Sequence, residues 1–193
     1  SWVGLAYGFK WVWAPLVDRM PIPVLTRLLG RRRSWLLLAQ LVVVAGLVGM
    51  ALADPRLTLG PIVWCALAVA FGSATQDIAL DAFRIESADA NHQAALAASY
   101  QTGYRLAMIW AGAGVLWIAA RSEVAPAVGQ AVAQGAAAYQ NGAWQAAYLA
   151  MAASMVVGIV TVLFSREPAP VALPPAKNAA EWIQGALVAP FAD

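Results

Sequence analysis

The sequence predicts an all-α membrane protein, with five membrane-spanning helices followed by a linker. Three observations lead there. Hydrophobic residues make up 62% of the 193 residues and charged residues only 11%, whereas a soluble domain carries about 25% charge. So little charge does not cover a water-facing surface, and mean hydropathy is +0.66. The apolar residues fall in continuous runs rather than in alternation, and in lipid only helices and closed barrels satisfy their own backbone, so runs of this kind read as helices. Composition also excludes other classes. A net charge of +2 gives no basic surface for nucleic acid. The single cysteine, Cys65, forms no internal disulfide, and the single histidine, His92, has no cysteine or histidine cluster around it for zinc. Neither a metal nor another cofactor is expected.

Crossing a bilayer core of ~30 Å takes ~20 mostly apolar residues. The first expected span, residues 2–17, is short and interrupted by Lys10. The second, 35–53, is a clean Leu/Val/Ala run, and the third, 57–82, is clean at its start and polar at its end. The fourth, 94–120, contains Arg105, and the fifth is 144–164. Between them lie a basic loop (18–34), a tight Asp54-Pro55-Arg56 turn, a mixed-charge loop (84–93) and an Ala/Gln/Gly-rich stretch (121–142) expected to hold a short surface helix. Residues 1–165 are thus expected to form the bundle. Residues 166–193 read as a cytoplasmic proline-rich linker (Pro168, Pro170, Pro174, Pro175) and a weakly amphipathic interfacial segment, 181–191.

Arginine and lysine in the loops set the orientation. Arg19, Arg27, Arg31, Arg32, Arg33, Arg84, Arg166 and Lys177 fall on one side, and Arg56 and Arg121 on the other. Eight against two places the five-arginine loop in the cytoplasm. The first span then runs inward, and one further span is expected ahead of residue 1.

Ionisable groups inside spans cost ~2.5–3.5 kcal/mol each on insertion scales and mark function or a buried pair. Lys10 and Asp77 are expected ~10 Å deep and Arg105 ~16 Å deep, from the helical rise. Three helices therefore present +, − and + at similar levels. Two readings stand side by side: a structural ion pair of Asp77 with Lys10 or Arg105, and a pocket that binds an anion and handles a proton. Asp77 and Asp81 share a helix face, with Arg84 three residues on. Asp77, the deeper, is the better candidate for proton coupling. Asp81 also reads as a rim salt bridge to Arg84. Glu86, Asp89 and His92 read as loop groups, with Glu86 able to pair with the arginine loop. Tyr100, Gln101, Tyr104 and the deeper Trp110 and Trp117 flank Arg105, and rings and amides beside an arginine suit a sugar that bears carboxylates. Gly103, Gly112 and Gly114 with Ala107 and Ala111 give the fourth span a small-residue stripe fit for close helix packing.

Two longer motifs carry a resemblance. Asp18-Arg19 and Gly30-Arg31-Arg32-Arg33 resemble the basic signature between the second and third helices of the major facilitator superfamily, with Ala14 where glycine is common and residues 20–29 inserted between the halves. The stretch from Phe9 through Trp13, Pro15 and Asp18 to Arg19, and the stretch Gln76-Asp77-Ile78-Ala79-Leu80-Asp81-Ala82-Phe83-Arg84-Ile85-Glu86, are similar to AmpG-type muropeptide permeases and their acetyl-CoA transporter relatives. Tyr104-Arg105 fits the fifth helix of that group, and Ala189-Pro190-Phe191 the stretch ahead of its seventh. The resemblance implies that the five spans are helices two to six of a partial major facilitator bundle. A first helix and a C-terminal half would lie outside this chain. It implies proton-driven import of anhydro-muropeptides across the bacterial inner membrane for peptidoglycan recycling. The implied partners are a carboxylate-bearing sugar-peptide, protons, the bilayer and that second half, with no nucleic acid. It further implies substrate contacts from Lys10, Arg105, Gln101, Tyr104, Tyr100 and Trp110, and proton coupling by Asp77 and Asp81. A cytoplasmic gating network would be formed by Asp18, Arg19, Arg31, Arg84 and Glu86.

Three alternatives remain open at the level of sequence. One is a carrier of another organic anion such as acetyl-CoA. The second is a membrane-embedded transferase using Asp77 and Asp81 on Mg²⁺, though a second aspartate-rich motif is absent. The third is a non-transporting scaffold, against which the retained intramembrane charges argue.

Overall fold

The computed structural model describes residue 4, residues 7–122 and residues 141–169, with the backbone alone at Ala90. Among them every regular element is helical. Helix α1 is Lys10–Arg19 and α2 is Leu25–Leu29. The long helices are α3 (Arg31–Leu52), α4 (Gly60–Glu86), α5 (Gln93–Ser122) and α6 (Asn141–Phe164), each apolar and long enough to cross a membrane. The protein is an all-α membrane bundle.

Four of the five expected spans therefore appear at full length among the described residues. The first is represented by α1, 10 residues or about 15 Å of helix; most of residues 1–6 lie outside the description. The surface helix expected in 121–142 and the interfacial segment 181–191 fall largely or wholly outside it as well. Two boundaries differ from expectation. Helix α3 starts at Arg31, so all three arginines occupy its first turn. Helix α4 runs on through Arg84 to Glu86, which shortens the expected 84–93 loop. Asp54 forms the expected tight turn: its carboxylate accepts from Arg56 N at 2.9 Å and its carbonyl from Leu57 N at 3.1 Å.

Helix α3 is the hub, packed on α4 along one side and on α6 along another. Small residues let α3 and α4 approach. A Cβ on Gly46 would meet Val69 Cγ2 at 2.6 Å and the Cys65 carbonyl at 3.0 Å, and one on Gly72 would meet the Ala39 carbonyl at 3.1 Å. Without a hydrophobic drive between helices in lipid, this close contact supplies the packing energy. The glycines of the small-residue stripe expected on α5 do not serve that purpose among the described residues. A Cβ on Gly103 or Gly112 would meet nothing within 4 Å there, and Gly114 makes room for the ring of Trp110 in its own helix. That ring sits on a π-helical segment, Trp110–Gly114.

Helix α1 lies on α4. The Trp13 ring packs on Phe71 with centroids 4.9 Å apart, and its Nε1 donates to Thr75 Oγ1 at 3.2 Å. Tyr7 and Ser73 share a hydroxyl contact of 2.5 Å. At the basic end of the bundle, Val17, Leu36, Ala79 and Val162 bring four helices into one buried cluster, ringed by Trp13, Trp35 and Phe83. The second half of α5 packs on α6, where Trp110 Nε1 donates to Ser154 Oγ at 2.9 Å. Its first half, Gln93–Ile109, stands away from the other helices with no buried residue.

Candidate functional site

Two charge clusters occupy α4 and its neighbours. The first closes the basic end. Arg32 is 6% exposed despite its charge. Its Nε and Nη2 donate to both carboxylate oxygens of Glu86, at 2.9 and 2.5 Å, and its Nη1 donates to Asp18 at 2.6 Å. One guanidinium thus ties α3 to the last turn of α4 and to the end of α1 with the short, two-point geometry of strong ion pairs. Arg31 adds a looser contact to Glu86 at 3.9 Å. Arg33 turns the other way and donates to the Val162 and Leu163 carbonyls, at 2.8 and 2.5 Å, which would otherwise be open acceptors at the end of α6. Glu167 returns the grip. Its carboxylate accepts from the backbone of Arg32 at 2.7 Å and Arg33 at 3.1 Å, where the dipole of α3 favours a negative group. Gly30 holds φ at +89°, and a Cβ there would strike that carboxylate.

The second cluster lies along α4, between α1 and the first half of α5. Ser73, Asp77, Asp81 and Arg84 follow one another at helical spacing on one face of α4. Asp77 is half-buried and interacts electrostatically with Lys10 of α1 and with Asp81, without a direct ion pair. Asp81 Oδ1 lies 3.7 Å from Arg84 Nη2. The guanidinium of Arg84 sits over the Tyr100 ring of α5, 5.3 Å from its centroid. Tyr104 stacks beside Tyr100 with centroids 6.5 Å apart. This half-enclosed face bears two carboxylates, two cations and two phenols.

The two clusters sort the residues singled out in the sequence. Asp18, Arg31 and Glu86 meet at the basic end, and Arg19 ends α1 beside Asp18. Arg84 belongs instead to the inner cluster, through Asp81 and Tyr100. Lys10, Asp77, Asp81, Tyr100 and Tyr104 gather there too. Arg105 and Gln101 are exposed on the open half of α5, and among the described residues Arg105 makes no ion pair. Of the expected +, −, + triad, Lys10 and Asp77 interact and Arg105 lies apart, and the other cation of the cluster is Arg84, beside Asp81. The reason is rotational: Arg105 follows Tyr104 by about 100° around α5, away from the face that Tyr100 turns to α4. Trp110 faces α6. In the sequence Arg32 and Arg33 stand out only as members of the Gly30-Arg31-Arg32-Arg33 signature, with nothing to separate their roles from that of Arg31, and Glu167 has no signal there. Among the described residues no cluster of carboxylate, thiol or imidazole groups is arranged to hold a metal ion.

The whole chain aligns with the anhydromuropeptide permease of Escherichia coli strain K12 at 33% identity, covering 34% of that protein. Along its whole length the chain is similar to an AmpG-type permease. A putative AmpG transporter of Rickettsia felis is 40% identical over 60% of the chain and 28% of its own length. An uncharacterised protein of Haemophilus influenzae is 37% identical over 86% of the chain and 34% of its own length. The chain thus spans about a third of the length of these relatives. No protein-family model matches it, and no solved structure does. The Escherichia coli relative is a permease by name and the Rickettsia felis relative a putative transporter.

Proposed function

We propose that the protein is part of a proton-coupled carrier that imports anhydro-muropeptides across the bacterial inner membrane, with the basic end in the cytoplasm. The observation that carries the reading is the placing of Lys10 and Asp77 on two packed helices, near enough to interact electrostatically without an ion pair, in a chain similar to AmpG-type permeases. Charges kept inside a membrane are costly unless they serve a path for ions or substrate. In this reading Asp77, with Asp81 one turn away, takes up and releases the driving proton. Lys10 in the inner cluster, and Arg105 from the open half of α5, add positive charge that draws an anionic substrate in. Tyr100, Tyr104 and Gln101 contact the sugar, and Trp110 bounds the cavity at the π-helical turn. A second half, beyond this chain, completes the cavity, as carriers built of two repeats require. Asp18, Arg19, Arg31 and Glu86, with Arg32 at their centre, hold the basic end shut until the halves rock. Arg84, expected among them, serves the inner cluster.

The test is uptake of labelled N-acetylglucosaminyl-anhydro-N-acetylmuramic acid by the complete carrier in proteoliposomes. Asp77→Asn is expected to abolish accumulation driven by a proton gradient while exchange of internal for external ligand persists. Undiminished accumulation in that variant removes Asp77 from proton coupling. Uptake of acetyl-CoA and none of the muropeptide replaces the substrate assignment.

A further inference from the structure

We propose that Arg84 is the residue that grips the substrate carboxylate, and that Asp81 holds its place until the ligand arrives. The inference rests on the carrier reading above and names the residue that recognises the acid group.

The first observation is an unfilled hydrogen-bonding edge. Arg84 Nε is buried and has no hydrogen-bond partner. Its Nη2 lies 3.7 Å from Asp81 Oδ1, beyond the ~2.7–2.9 Å of a charge-assisted hydrogen bond. Nε and Nη2 form the side of a guanidinium that takes a carboxylate at two points. Arg32 displays the filled form of that edge, with Glu86 on Nε and Nη2 at 2.9 and 2.5 Å. The same chain therefore holds one arginine with this edge saturated and one with it nearly empty, on either side of the last turns of α4. A buried donor of a charged group left unmade is unfavourable, and a ligand carboxylate relieves it.

The second observation is access. Tyr100 covers a face of the guanidinium at 5.3 Å, and because Nε is buried a ligand carboxylate reaches the in-plane edge as that ring swings aside. Tyr100 and Tyr104 project from the half of α5 that has no buried residue, and Tyr104 is exposed, so the aromatic side of the cluster faces outward. Arg105, the cation first expected to fill this role, lies outside the cluster. When a ligand carboxylate takes the Nε–Nη2 edge, Asp81 loses its cation and stands one turn from Asp77 as a second negative charge. Ligand arrival then changes the charge balance at the residue proposed to carry the proton.

The experiment compares N-acetylglucosaminyl-anhydro-N-acetylmuramic acid with its methyl ester, binding each to the purified complete carrier. The wild type is expected to prefer the acid. Arg84→Gln is expected to lower acid affinity about tenfold or more, as loss of a hydrogen-bonded charge does, with ester affinity unchanged. Asp81→Asn frees the guanidinium and is expected to tighten acid binding about two- to fivefold, the worth of a loose exposed pair. An Arg84→Gln carrier that binds the ester normally and still prefers the acid overturns the inference and leaves the carrier reading intact. So does a wild type that binds acid and ester equally, or an Asp81→Asn variant that binds the acid more weakly. Should Arg84→Gln fail to fold, Asp81→Asn decides alone. A wild type that binds neither compound overturns the carrier reading and this inference with it.

Discussion

Three consecutive arginines begin α3, and helical rotation of about 100° per residue gives them three different tasks. Arg31 reaches Glu86 loosely, Arg32 is buried between Glu86 and Asp18, and Arg33 closes the carbonyl end of α6. Removing Arg32 leaves two carboxylates facing each other without their cation. Arg32→Ala is expected to destabilise the protein by about 3 kcal/mol or more, as breaking a buried pair does, whereas Arg31→Ala is expected to cost about 1 kcal/mol or less. Thermal unfolding of the two variants in detergent measures the difference, and equal losses would show that Arg32 is not the centre of the network. This distinction was hidden in the sequence. The run Arg31-Arg32-Arg33 reads as uniform positive charge, and which side chain turns inward depends on where α3 starts.

At the scale of elements, the tight seam lies between α3 and α4. Gly46 touches Val69 and the Cys65 backbone across it. Gly46→Val forces the helices apart and is expected to cost about 1–3 kcal/mol, as overpacking of a filled interior does. Gly112→Val, on the open α5 stripe, is expected to shift the unfolding temperature far less. Glycine and alanine spacing alone pointed to α5, because it reports which helix permits close approach and not which helix has a neighbour there. The ends of elements matter as much as their faces. Glu167, beyond α6, caps α3 through two backbone donors. Glu167→Gln keeps its shape and removes its charge, and is expected to lower stability by about 0.3–1 kcal/mol, an effect that fades with added salt. Helical pattern does not reveal such a contact, since residues 32 and 167 meet only when α3 and α6 lie side by side.

For the whole molecule, arginine and lysine counts predict a cytoplasmic basic end. Single cysteines placed at Thr26 and at Thr58, in a Cys65→Ser background, test this directly. In intact cells with a permeable outer membrane, an impermeant maleimide is expected to label position 58 and spare position 26. Labelling of position 26 alone would invert the bundle. The charge network at the basic end and the Lys10–Asp77–Arg84 cluster lie on successive stretches of α4, so one rigid helix carries both. Any tilt of α4 therefore moves both.

Composition and continuous apolar runs were enough to set the all-α membrane class and three of the four long helices to within a few residues at their starts. Hydropathy is a local property, and lipid leaves the backbone few choices. The two motifs around Asp18 and Asp77 were enough to find the AmpG-type resemblance. What only the tertiary structure decided was partnership: Arg84 over the Tyr100 ring while Arg105 lies apart, Arg32 as the buried arginine, α3 rather than α5 at the close-packed seam. Each depends on the rotation of one helix about its axis relative to another. That rotation is settled by the summed packing of many side chains from distant parts of the chain, which no local stretch of sequence encodes.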